Sequence, residues 1–258
     1  MDLTAVLGRY AEIARHLGAA TVTFIGTEPI RRAADGAAIV HEVAATTRVP
    51  LYVLSHEEEA FLTIIGVTAG QPVAHETLVV DIGGGSCEFC IVDATRAPRA
   101  AGLRLGSARL TDTFVTHDPP RPDEVQSMRE AALSAVRGAP AASPAEIVAV
   151  GGTASNLLKV VQPAEPDGML THERIAEAVT LLGSMPAAAA SERYGINPIR
   201  ARILPAGAAI MAAILDRYGV DRVRVSDAGI REGTILVVAH AGPTWRDRLA
   251  ALAHGWRG

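Results

Sequence analysis

The residues with the clearest chemical potential lie in the run Leu78-Val79-Val80-Asp81-Ile82-Gly83-Gly84-Gly85-Ser86, an apolar strand that ends in a carboxylate and three consecutive glycines. Successive backbone N–H groups with no side chains in the way form a concavity that can hold phosphate oxygens, and an acid at the strand tip can hold a magnesium ion or its water. An ordinary tight hairpin is the competing explanation. Two glycines would satisfy it, and an acid directly before a triple glycine is a costly way merely to turn. A second turn, Gly151-Gly152-Thr153, follows the apolar run Ile147 to Val150 and leads into a helix, with Thr153 as its expected N-cap. It is either an anion or nucleotide contact point or a strand–Gly–helix junction with no ligand.

Three acids crowd the helix start Ser55-His56-Glu57-Glu58-Glu59-Ala60. Ser55 and Glu58 have capping-box spacing, which gives Glu58 a structural task, and the helix dipole favours any acid there. Glu59 lacks that explanation and is the better candidate for a general base that orients and deprotonates a water; the alternative is a solvated acidic helix start. In Thr27-Glu28-Pro29-Ile30-Arg31-Arg32 two arginines fall in an expected first turn, where they oppose the dipole. Either they are simply exposed or one of them binds a polyanion, with Arg31 the candidate for that role.

Other chemistries fail on spacing. No Gly-Lys-Ser/Thr marks a Walker loop and no Gly-x-Ser-x-Gly marks a nucleophile elbow. The His-Glu pairs at His41, His56, His75 and His172 lack a second histidine four residues on, which removes a helical zinc-protease site. Cys87 and Cys90 form Cys-x-x-Cys within a strand, where residues three apart face opposite ways, so they read as small core residues.

The elements that must position these residues follow from periodicity. Helical spacing runs from Leu3 to Leu17, with Gly18 as a stop; Ala20 to Ile25 reads as a strand, Pro29 to Thr47 as a helix, Leu51 to Leu54 as a strand and His56 to Val67 as a helix. After Gly70-Gln71-Pro72 come three short runs, Thr77 to Ile82, Cys87 to Val92 and Ala100 to Leu105, expected as hairpin-linked strands. Alternation then resumes with helices at 123–136, 153–161, 172–182 and 201–218 and strands at 147–150 and 222–225. This is an α/β pattern of helices packed over a parallel or mixed sheet.

Composition narrows the partners. A net charge of −4 disfavours nonspecific nucleic-acid or anionic-membrane binding, and the longest nearly apolar stretch, Ile203 to Leu215, is shorter than the ~20 residues that span a bilayer. The N-terminus lacks the basic-then-apolar order of a signal peptide, and two cysteines make no disulfide framework. The expectation is a reducing, cytoplasmic setting with no nucleic-acid or membrane partner.

Five segments in register, Ser55 to Ala60, Asp81 to Ser86 with Glu88, Leu105 to Thr111, Gly151 to Thr153, and Val225-Ser226-Asp227-Ala228-Gly229-Ile230-Arg231-Glu232-Gly233, resemble the Ppx/GppA phosphatases. The resemblance covers about Leu3 to Ala239. It implies the fold of the actin-like ATPase and sugar-kinase superfamily, two ribonuclease-H-like domains around a cleft. It also implies exopolyphosphatase or guanosine pentaphosphate phosphohydrolase activity, with a place in the stringent response. It makes Asp81 the metal holder and Gly83, Gly84, Gly85 and Ser86 the second phosphate loop, with Gly151, Gly152 and Thr153 as further phosphate contacts. Glu59 becomes the activator of water and Glu88 a supporting acid, while Arg31 matches an arginine facing the phosphate chain. The implied cofactor is Mg2+, with a monovalent cation as a further candidate; the partners are polyphosphate or guanosine pentaphosphate, and a homodimer is carried over.

Family members begin with a strand and a first phosphate loop of the type Asp-x-Gly-Ser-Asn-Ser, which has no counterpart in residues 1–258. The expected division is therefore a partial first domain over 1–72, marginal because its strands lack neighbours, and a second domain over 73–258. Phe61, Cys87 and Arg202 depart from the family's usual arginine, threonine and acid. A noncatalytic phosphate or nucleotide sensor, or an inactive truncated homologue, is the rival expectation, and a sugar or acetate kinase a third.

Overall fold

A computed structural model describes residues 2–161 and 167–256; the last two residues of the tail and of the expected second domain lie outside them. The chain forms two compact units, Met1–Ser55 and His56–Gly258.

The first unit contains α1 (Leu3–His16), β1 (Phe24–Gly26), α2 (Glu28–Arg32), α3 (Gly36–Thr47) and β2 (Leu51–Val53). Asp2 caps α1 by accepting from the Thr4 N–H at 2.9 Å, and the apolar stripe of the helix buries Ala11 against Val43, Val49, Leu51 and Phe24. The strands pair in parallel, Phe24 with Leu51 through Gly26 with Val53, so β1 is shorter than the run Ala20 to Ile25 suggests. The expected helix Pro29 to Thr47 is two helices. Ala33 leaves helical geometry at ψ 133°, and the chain folds back so closely that a Cβ on Gly36 would meet the Ile30 carbonyl oxygen at 2.5 Å. Arg31 and Arg32 consequently stand in the last turn of α2, where the dipole favours cations, and the objection to them disappears.

The second unit begins with α4 (His56–Thr68) and continues through β3 (Thr77–Ile82), β4 (Cys87–Val92), β5 (Arg99–Leu103), α5 (Ser107–Phe114) and α6 (Pro122–Ala135). Then follow β6 (Glu146–Val150), α7 (Gly151–Val161), β7 (Met169–Thr171), α8 (His172–Gly183), α9 (Ala187–Tyr194), α10 (Pro198–Tyr218), β8 (Arg222–Ser226), α11 (Ile230–Ala241) and α12 (Leu249–Ala253). One sheet of order β5-β4-β3-β6-β8-β7 carries them. The hairpin-linked strands β3, β4 and β5 are antiparallel, β6 and β8 add in parallel, and β7 closes the edge antiparallel. Without β7, the order 3-2-1-4-5 is that of a ribonuclease-H-like sheet.

Alternation along β4 sends Cys87, Phe89 and Ile91 into the main core, with Met128, Leu157 and Ile210. Cys90 is buried on the other face, and both thiols are free, as small core residues should be. Helix α4 goes with this unit and not with the residues before it, so the compact boundary falls after Ser55, ahead of the expected division at residue 72. Its backbone meets α11 directly: a Cβ on Gly66 or Gly233 would run into the carbonyl oxygen of Gly229 or Leu62. Helix α10 has the length and hydropathy of a membrane span, yet most of that window is buried, with Leu204, Ala208, Met211 and Leu215 in the core.

Candidate active site

The sheet presents its functional residues at the C-terminal tip of β3. Asp81 pairs across the antiparallel ladder with Glu88 of β4, and Glu88 pairs in turn with Gly102 of β5. From the first turn of α4, Glu59 and His56 reach the same place. His56 Nδ1 donates to Glu88 Oε1 at 2.8 Å, and the ligand atoms of His56, Glu59 and Glu88 all lie within 4.8 Å of one another. Glu59 and Glu88 are 8% and 5% exposed, deep for carboxylates. Burial first, then the charges of Glu88 and Glu59, push Asp81 up to about 7, while Arg200 pulls the other way.

The triple-glycine loop is held from behind. The Ser107 N–H donates to the Gly83 carbonyl, the Arg109 N–H to that of Gly84, each at 3.0 Å, and Arg109 Nε to that of Gly85 at 3.1 Å. In a trans peptide the next N–H points opposite to its carbonyl, so these contacts turn the N–H groups of Gly84, Gly85 and Ser86 away from α5. No hydrogen bond among the described residues uses the Gly84 or Gly85 N–H. Gly106, at the N-cap position of α5, must be glycine because a Cβ there would strike the Gly84–Gly85 peptide. Ser86 is buried, and its carbonyl accepts from the Gly83 N–H.

Gly151 borders the same carboxylate. Its φ of +82° lies in the left-handed region, and a Cβ there would overlap Asp81 Oδ1, so glycine is required twice over. Gly152 likewise admits the Arg200 guanidinium. Thr153 is not the N-cap of α7, which already begins at Gly151; its hydroxyl donates to the Ile82 carbonyl at 2.8 Å and ties α7 to the end of β3.

The structure thus gathers Asp81, Glu59, Glu88, Gly83 to Ser86 and Gly151 to Thr153 in one unit. Arg31 belongs to the first unit, where it donates to the Leu54 carbonyl and to Glu28 Oε2 at 3.1 Å. Glu58 pairs with Arg246, whose Nη2 lies 2.8 Å from Oε2. The sequence alone assigns no role to His56, Gly102 or Arg200. A glycine inside a strand was the available signal for Gly102, since it marks close approach by another group. The donor chemistry of Asp81, Glu59 and Glu88, three carboxylates gathered at one strand tip, fits a hard cation.

A ribonuclease-H-like sheet carrying a carboxylate cluster and a glycine loop at one strand tip defines an α/β protein of the actin-like ATPase fold. The model of the Ppx/GppA phosphatase family matches residues 2–241, and the chain belongs to that family. It is 28% identical to exopolyphosphatase 1 of Mycobacterium tuberculosis over 246 residues, which span 91% of this chain and 72% of the relative. Among solved structures, the Ppx/GppA family member of Aquifex aeolicus superposes with a TM-score of 0.80 at 25% identity, covering 93% of this chain and 81% of the other. An exopolyphosphatase from Cytophaga hutchinsonii shares the fold, with a TM-score of 0.76 at 21% identity over 90% and 80% of the two chains.

Proposed function

We propose that the protein is a phosphohydrolase that releases terminal orthophosphate from inorganic polyphosphate or guanosine pentaphosphate. The observation that carries this reading is the convergence of Asp81, Glu59 and Glu88 on one strand tip beside a loop with outward N–H groups. Family membership and the exopolyphosphatase relatives support the substrate class.

Glu59 serves as the base, holding a water and taking its proton as the water attacks the terminal phosphorus. Glu88 fixes the polar surroundings of that water. The Gly84 and Gly85 N–H groups cradle the phosphoryl oxygens, and the α7 N-terminus at Gly151 to Thr153 holds the next phosphate of the chain. Arg200, beside Gly152, supplies positive charge to the polyanion. Asp81, with Glu59 and Glu88 near it, would hold the Mg2+, which supplies neutralisation of the charge that spreads over phosphoryl oxygens in a loose transition state. The work of the site is otherwise positioning and electrostatics.

The test is orthophosphate release from polyphosphate and from guanosine pentaphosphate with Mg2+ and no acceptor. Release that Glu59→Gln abolishes supports the reading. Substrate binding without release overturns it in favour of a sensor, and transfer that needs an acceptor favours a kinase.

A further inference from the structure

We infer that His56, Glu59 and Glu88 form a mixed nitrogen–oxygen site that selects a divalent transition metal of the manganese, iron or zinc class over magnesium. The inference rests on the proposed metal dependence of the active site but concerns which ion the chain prefers. Three observations carry it. The donor set is not all oxygen: an imidazole stands within reach of two buried carboxylates, and imidazole nitrogen suits zinc, iron and related ions, while magnesium takes oxygen and keeps much of its water. The spacing is also right. Two adjacent ligands on an ion with bonds of ~2.1 Å stand ~3 Å apart, and His56 Nδ1 lies 2.8 Å from Glu88 Oε1. Finally, the imidazole has a seat built for it. Gly102, the cross-strand partner of Glu88, has no side chain where the ring lies, and a Cβ there would come within 2.6 Å of Nδ1.

On binding, the ion takes the place of the proton on Nδ1, the neutral ring carries its proton on Nε2 instead, and the hydrogen bond to Glu88 gives way to two bonds to the ion. Glu59, one turn along α4, supplies a third ligand from the same direction as His56.

The experiment uses the full chain, stripped with a chelator, and reads metal binding directly. Calorimetric titration with Zn2+ and with Mg2+ is expected to show one Zn2+ site that is tighter than the Mg2+ site, and His56→Gln is expected to weaken Zn2+ about tenfold or more while leaving Mg2+ nearly unchanged. Pulsed electron paramagnetic resonance of the Mn2+-loaded chain is expected to show modulation from an imidazole nitrogen, lost in His56→Gln. Gly102→Ala is the second variant: its methyl displaces the ring and should remove the nitrogen signal with all three ligands still encoded, so a failure of His56→Gln to fold leaves the inference testable. Equal affinity for Zn2+ in His56→Gln, or nitrogen modulation that survives both substitutions, would overturn it. These readouts do not involve turnover: loss of phosphate release with the Zn2+ selectivity intact would count against the hydrolase reading alone.

Discussion

Two carboxylates of this molecule, Asp81 and Glu124, are handled in opposite ways. Glu124, in the first turn of α6, accepts from the Thr116 and Arg121 N–H groups and from the Thr116 hydroxyl and His117 Nδ1, all at 2.8 Å. Those hydrogen bonds, the Thr116 N–H first, hold it well below the usual glutamate range. Asp81 has two other acids for neighbours and rises to about 7. The loop before α6 is arranged to stabilise a charge, so Glu124 staples 116–121 to the helix. The tip of β3 is arranged to crowd charges, which weakens the fold and is tolerated where a cation or substrate relieves it.

The largest expected effect separates these roles by activity. Glu59→Gln should cut phosphate release by about 10²–10⁴-fold, with little change in melting temperature and retained polyphosphate binding, measured by turnover and calorimetry. Glu124→Gln should leave turnover intact; a matching loss there would break the contrast.

Gly151→Ala comes next. Its methyl is forced into the left-handed region against Asp81, so stability should fall by about 1–2 kcal/mol and turnover should drop with it, seen by denaturant unfolding and phosphate release. A variant as stable and active as the parent would remove the close approach of α7 to the carboxylate.

With metal chelated, Asp81→Asn should stabilise the protein, and more so as pH rises. The folded carboxyl keeps its proton up to about 7, whereas the unfolded one releases it near 3.8, so folding of the parent is progressively penalised through that window and the amide is not. After discounting for partial exposure, the gain at pH 8 is on the order of 1–3 kcal/mol, read from melts between pH 4 and pH 8.

Glu124→Gln is the smallest effect and has the opposite sign. Its depressed carboxyl contributes stability above the ordinary glutamate value of 4.5, lost as pH falls through that value and below. The substitution should lower the melting temperature at pH 7, with the gap closing in acid. A gap that widens in acid would mean that the hydrogen bonds do not favour the charged form.

Much of the site was legible because it is local. The triple glycine after Asp81 and the acid beyond the capping position at Glu59 announce themselves over a few residues, and the strands that carry them have clear apolar runs. What could not be read depends on register and packing. His56 matters because β4 and β5 place Gly102 opposite Glu88, and one residue of slip would turn Glu88 away. Arg200 matters because α10 lies against α7 at Gly207 and Thr153, where a Cβ on the glycine would overlap the threonine methyl. Helix α5, which orients the loop, is short and weakly apolar, and only its contacts with Gly83, Gly84 and Gly85 explain it. The break between α2 and α3 has a local signal, the Asp35-Gly36 pair that opens α3, but the helical spacing of apolar residues on both sides runs through it and masks it.

The central claim is that the acids at the tip of β3 converge on a cation, and the carboxyl carbon of Asp81, followed by nuclear magnetic resonance across pH, tests it most directly. Without metal its midpoint should lie near 7. Saturating Mg2+ or Zn2+ should drive it far down, since a bound cation competes with the proton. A midpoint near 3.8 under both conditions, or one near 7 that neither ion moves, would contradict the account.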